Sequence, residues 1–292
     1  MSLPPFIPVR QKLYAKRLDD LPQHVQRLIH GSSLGSTARP GQRLAVAVGS
    51  RGVANVDRIA AATIAALRHL GAEPFVVPAM GSHGGATAEG QIEVLASLGV
   101  TEARVGAPIR SSMEVVPIGV TESGMPVHVD RIAFESDGII AINRVKKHTD
   151  FTGLIESGLM KMLSIGLGKK IQADLIHSYG APGLRKYVPE VARVVVARAP
   201  IVLGIASLEN GYEETAEIHA LEPAEIEERE KELLAKNKRS LPRLPFEELD
   251  VLVVERMGKE ISGCGMDTNV LGRIAIRGER EFRRPRIRTV VV

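Results

Sequence analysis

The sequence predicts an α/β protein built on a doubly wound, mostly parallel sheet, followed by a second, apparently incomplete α/β domain. Two observations carry this. Short apolar runs ending in glycine alternate with stretches whose apolar residues recur at helical spacing. Pro242 and Pro245 then punctuate the chain just before a fresh apolar run. Alternation of this kind argues for helices on both faces of a parallel sheet, with reactive groups in the loops beyond the carboxyl ends of the strands.

The elements follow in order. Residues 43–49 (RLAVAVG) read as a strand and turn, and residues 53–70 as a helix. Residues 74–79 (PFVVPA) give a second strand ending in the loop 80–86, after which Thr87 opens a helix that Gly99 stops. Residues 111–117 and 126–129 read as short strands, and 137–143 (DGIIAIN) as a buried strand feeding the loop 144–153. Residues 154–167 (LIESGLMKMLSIGL) and 183–199 have apolar positions at helical spacing, with a strand at 201–206 behind them. Residues 222–238 predict a charged, exposed helix with glutamates early and lysines late, an order suited to the helix dipole and to a connector. A boundary near 241–246 divides a catalytic domain, 1–246, from the start of a second one, 247–292. That start is about fifty residues long and stops inside RTVVV, which reads as the opening of a buried strand.

Composition excludes several functions. An excess of 38 basic over 34 acidic residues is too small to imply nucleic acid unless clustered. The cluster that exists, Arg280, Arg283, Arg284, Arg286 and Arg288, is interrupted by Glu281 and has no aromatic platform. A lone cysteine, Cys264, rules out a disulfide framework and a cysteine metal set and points to a reducing compartment. No continuous apolar segment follows the first residues as an export signal would, and no run nears the roughly 20 residues of a membrane span. A cytoplasmic protein acting on a small molecule is expected, with self-association left open.

Four residues stand out chemically. His83 lies in MGSHGGAT, a glycine-rich loop between strand and helix; it is either a turn histidine or a ring presented at a strand end. Backbone N–H groups of such a loop, here those of Gly81, Ser82 and Gly84, cradle anionic cofactors. His148 lies in NRVKKHTDFTG, where Lys146 and Lys147 would lower its pKa and attract an anion, or simply solvate a basic loop. Lys161, among Leu159, Met160, Met162 and Leu163, either snorkels to solvent or is held as a reactive amine. His177 in ADLIHSYG reads equally as a packed histidine or a ligand. Arg51 at the first strand end offers a fork that suits a carboxylate. There is no GxSxG elbow, HExxH or paired-carboxylate pattern, which weakens hydrolase readings.

Arg51, MGSHGGAT, KKHTDFTG, ESGLMKMLSIGLGK and His177, in that order, together resemble the lactate racemase family over residues 40–210 and in outline to about 270. The resemblance implies a nickel-pincer nucleotide tethered through Lys161 as a thioamide, nickel ligation by His177, alternating acid and base roles for His83 and His148, and a substrate carboxylate gripped by Arg51. It implies inversion of a 2-hydroxyacid by reversible hydride transfer, with one base for each face. TGLIESGLMK here replaces the glycine-rich stretch that better-known members carry before the lysine. Two other readings of the same residues remain: a nickel-free enzyme using Lys161 and the histidines, and a non-catalytic module for a carboxylate or anion.

Overall fold

The computed structural model describes residues 6–50, 52–258, 261–276 and 278–292. Strand β1 (Arg43–Val48) alternates Leu44, Val46 and Val48 with Ala45 and Ala47, and all five are buried. A strand buried on both faces belongs inside a sheet covered on both sides. β2 (Glu73–Pro78) has the same character, whereas β3 (Val115–Val120) and β4 (Pro126–Asp130) form a separate antiparallel ribbon. With β5 (Gly138–Arg144), β6 (Ile201–Glu209) and β7 (Thr215–Leu221) the main sheet has the order β2-β1-β5-β6-β7. Its first four strands are parallel and β7 runs antiparallel to β6. The mixed α/β class with a mostly parallel sheet is therefore as the sequence predicts.

The two faces differ in size of residue. Leu44, Val46, Val48, Ile140, Ile142, Leu203 and Ile205 pack against helices Leu21–His30 and Val56–His69. The opposite face offers Ala45, Ala47 and Ala141 to the layer holding Met160, Leu163, Val188 and Val191. Small residues there let the segment 159–167 lie close to the sheet. At Gly204 a Cβ would come within 2.6 Å of the Leu159 side chain. This close seating brings Lys161 to the carboxyl ends of β1 and β5.

Several expectations are corrected. The helix predicted over 154–167 begins only at Leu159, as an α turn Leu159–Lys161 followed by a π turn Met162–Gly166. Residues before it belong to the preceding loop, where the Lys146 and Ser157 backbones pair at 2.9 and 3.2 Å. Periodicity could not reveal this, because the loop is held by the buried Glu156, which accepts from the N–H groups of His148 and Gly153. The π turn, marked by Leu167 N–H donating to the Met162 carbonyl at 2.9 Å, is a rare geometry that recurs at functional sites. Helix Lys169–His177 and strand β7 were not anticipated.

The charged helix, Ile226–Ser240, is no mere connector: Ile226, Glu230, Leu233 and Leu234 form a buried stripe at helical spacing against β6 and the 159–161 turn. Beyond it β8 (Glu248–Val253) and β9 (Arg286–Val291) make a parallel pair. The RTVVV run is exposed along most of β9 rather than buried. Among the described residues no helix is long and apolar enough to cross a membrane.

Candidate functional site

The carboxyl ends of β1, β2 and β5 lead into three loops that meet the Leu159–Gly166 turn. After β1, a Cβ on Gly49 would lie 3.1 Å from Met162 Cε. After β2, Gly81 N–H donates to the Gly166 carbonyl at 3.1 Å, and Gly81, at φ +62, lies against Ile165. His83 follows at the start of a 3₁₀ turn Gly84–Ala86, and its Nδ1 is 2.5 Å from Ser50 Oγ. Ser50 thus joins the first two loops at the ring that sequence singled out.

The third loop builds a defined setting for His148. Its N–H donates to Glu156 at 2.7 Å, its carbonyl accepts from Asn269 at 3.0 Å, and its ring lies 4.6 Å from that of Phe151. Nδ1 accepts the Asp150 N–H at 3.0 Å, while Nε2 is 2.7 Å from Lys161 Nζ. Burial, then the charge of Lys161, push the His148 imidazole down to about 3. Burial works to raise the Asp150 carboxyl, but hydrogen bonds from Cys264 and Thr149 and the nearby charge of Lys161 outweigh it and hold it below its usual range. Burial, then Arg144, lowers Lys146.

His177 ends the helix Lys169–His177 on an exposed surface. Burial of part of its ring and the nearby charge of Lys161 lower it, and His177 in turn lowers His148. His148, Lys161 and His177 therefore share one electrostatic neighbourhood, with His148 and Lys161 in direct contact. His83 stands on the neighbouring loop, bonded to Ser50. Arg51 lies outside the described residues. Gly81, Ser82 and Gly84 form the expected loop, with one correction: the Gly81 N–H is already given to Gly166 and is not offered to an anion. Gly84, at φ +65, is packed so tightly on Gly90 that a Cβ would come within 2.5 Å of it.

Sequence reasoning missed the residues that hold this site. Glu230 is fully buried and accepts from the Met160 N–H at 3.0 Å, capping the turn that carries Lys161; burial raises its carboxyl to about 7. Lys169, fully buried and at φ +54, donates to the Pro78 carbonyl at 2.5 Å and to Gln91 Oε1 at 3.0 Å and pairs with Asp130 at 3.0 Å. Gln91 in turn donates to the Gly81 carbonyl at 2.9 Å. One lysine thus ties the end of β2 and the His83 loop to the helix ending in His177. Helical phase with Ile226, Leu233 and Leu234 was the available signal for Glu230; for Lys169, beside the exposed Lys170, none was.

A family model for the lactate racemase N-terminal domain matches residues 12–196. The structure of the lactate racemase apoprotein from Thermoanaerobacterium thermosaccharolyticum has a TM-score of 0.57 to this chain at 12% identity. The likeness covers 83% of this chain and 61% of that one, so this chain spans less than two thirds of its length, and at such identity it is a likeness of fold. No curated protein sequence matches. Because the family model accounts for well over half of its residues, the chain belongs to the lactate racemase N-terminal domain family.

Proposed function

We propose that this chain is a racemase or epimerase of a 2-hydroxyacid that works with a nickel-pincer nucleotide attached to Lys161. The observation that carries this is the meeting of two histidine loops on one lysine-bearing turn: His148 bonds Lys161 itself, and the loop of His83 is hydrogen-bonded to the same turn at Gly166. Inverting a carbon bearing a hydroxyl needs a proton acceptor for either configuration, and two imidazoles supply this near neutral pH. His148 is kept neutral, and to accept the hydroxyl proton its Nε2 would have to exchange the Lys161 Nζ contact at 2.7 Å for the substrate, since Nδ1 is held by the Asp150 N–H. Ser50 orients the His83 ring through Nδ1.

The residues present fit the cofactor. Lys161 offers a half-buried amine and His177 an exposed imidazole in the same electrostatic neighbourhood. Among the described residues no group of three or more His, Cys, Asp or Glu could hold a metal, so nickel here needs donors beyond the side chains, as a pincer provides. Lys161 would anchor the group, His177 would ligate the metal, and the loop of Ser82 and Gly84 would hold an anionic portion. When bound, the cofactor supplies the acceptor and donor of the Cα hydride. The substrate carboxylate falls to Arg51.

The contact between Lys161 and His148 also favours a second reading, a nickel-free enzyme in which Lys161 acts as base or Schiff-base amine. Single enantiomers of 2-hydroxyacids, followed by chiral chromatography, decide between them. The racemase inverts its substrate only when loaded, and His83→Ala or His148→Ala lowers inversion by at least a hundredfold while leaving the adduct in place. Inversion by metal-free protein supports the second reading. Binding of a carboxylate that survives both replacements, with no inversion by loaded protein, indicates a non-catalytic module.

A further inference from the structure

We propose that Lys146 binds a second anionic group of the substrate, which makes the ligand of this site a 2-hydroxyacid bearing an additional carboxylate. The 2-hydroxyacid part rests on the racemase reading, whereas the cation and its setting stand apart from it. Strand β5 ends at Arg144, and the chain stays extended as Lys146 pairs with Ser157 through both backbone groups, at 2.9 and 3.2 Å. Successive side chains of an extended chain point to opposite faces. Val145 and Lys147 take one face: Val145 is buried in the core, and the Lys147 ammonium lies 4.2 Å from the Phe282 ring centre. Arg144 and Lys146 share the other, where the charge of Lys146 reaches the His148 ring and helps to lower it.

The two cations of this face are in different states. Arg144 is neutralised by the buried Glu209, which also accepts the Ala54 N–H at 2.6 Å and so fixes the loop after β1. Lys146 has no such partner: among the described residues its half-buried side chain makes no hydrogen bond and no ion pair. The acids within electrostatic reach are committed or distant in character: Glu209 to Arg144, Asp267 to the Asn269 N–H at 2.8 Å, while Glu213 stands exposed. Swinging out to water would spare an ammonium the cost of desolvation, yet burial is the largest influence on Lys146, and the Arg144 charge adds to it. A cation in that position burdens the fold until an anion completes it.

The chemistry of the anion follows from what surrounds it. One ammonium, with its arginine neighbour already paired, matches one negative charge. A phosphate monoester would bring nearly twice that charge towards Glu209 and Asp267 and would find no open guanidinium fork. A carboxylate fits both limits. In the racemase reading the carboxylate next to the hydroxyl-bearing carbon falls to Arg51, so Lys146 takes the far one and distinguishes a dicarboxylate from a monocarboxylate of equal length.

The test is isothermal titration calorimetry of the unmodified protein at pH 7 with three probes: malate, 2-hydroxybutanoate, which has the same carbon skeleton without the second carboxylate, and 3-phosphoglycerate. Malate should bind at least about tenfold more tightly than 2-hydroxybutanoate, the gain of one charge-assisted hydrogen bond, and more tightly than 3-phosphoglycerate. In Lys146→Met, which keeps the apolar stem, the preference for malate should fall to about twofold or less, and Lys146→Arg should retain it. Absent malate binding, equal binding of malate and 2-hydroxybutanoate, tighter binding of 3-phosphoglycerate, or a preference that survives Lys146→Met each overturns the proposal. Because the ammonium has no partner in the fold, Lys146→Met should unfold in urea at a midpoint no lower than the parent's; a clear loss of stability reveals a structural bond and overturns it too. Selective malate binding without inversion by nickel-loaded protein would count against the racemase reading and leave the Lys146 site standing. Inversion of 2-hydroxybutanoate with no preference for malate would do the reverse.

Discussion

His148 and Glu230 show how much of the site is set by single atoms. The dipeptide Lys146-Lys147 suggested a depressed histidine, and the histidine is depressed, but burial and the charge of Lys161 are its largest causes. That partner sits thirteen positions away and no spacing announces it. Glu230 was less legible still: in EEREKELL it looks like its exposed neighbours, and only its phase on the buried stripe separates it. Its carboxyl titrates late, near 7 when folded against 4.5 ordinarily. Below pH 4.5 both folded and unfolded chains carry the proton. As pH rises to about 7 the unfolded chain loses its proton first, so stability declines through that window and stays lower above it, by on the order of 3 kcal/mol. Glu230→Gln keeps an acceptor for Met160 and should erase most of the decline. Urea denaturation at pH 4.5 and pH 8 measures this, and equal declines in parent and variant would refute the assignment.

At the scale of elements, strands β1, β2 and β5 were readable because continuous apolar runs ending in glycine or a polar loop are distinctive. The lysine-bearing turn was not, because apolar residues at 154, 155, 159, 160 and 163 fit a helix until Glu156 and Gly158 are seen in their tertiary roles. Gly158 is placed where any Cβ would collide with the Glu230 carboxyl group. The Lys169 tie belongs to this scale, since it joins β2, β4 and two helices through one ammonium. Lys169→Met strands the buried Asp130 and should cost about 3–5 kcal/mol in chemical denaturation. Adding Asp130→Asn should recover a good part of that loss. A cost under about 1 kcal/mol would show that the tie does not hold the His83 loop.

For the whole molecule, the parallel α/β plan and the order of the chemical motifs were both legible, because a parallel sheet gathers its strand-end loops at one edge. The antiparallel β7 was not legible; the two strands of the β3–β4 ribbon were read at 111–117 and 126–129, but their pairing apart from the main sheet was not. The segment after β8 contributes more than its length suggests. Asn269 bonds the His148 carbonyl, Thr268 the Thr149 carbonyl at 2.5 Å, and Cys264 the Asp150 carboxylate at 2.8 Å, so residues 264–269 pack on the loop that carries His148. We propose that the boundary of a second domain lies ahead of it, near residues 241–246. The account as a whole stands on Lys161 as the anchor of a nickel-bearing group. The measurement that tests this most directly is the intact mass and nickel content of the protein produced alongside the enzymes that make the pincer nucleotide, with Lys161→Ala in parallel. The account predicts one covalent adduct, mapped to Lys161, with about one nickel per chain in the parent and neither in the variant; an unmodified, nickel-free parent would contradict it.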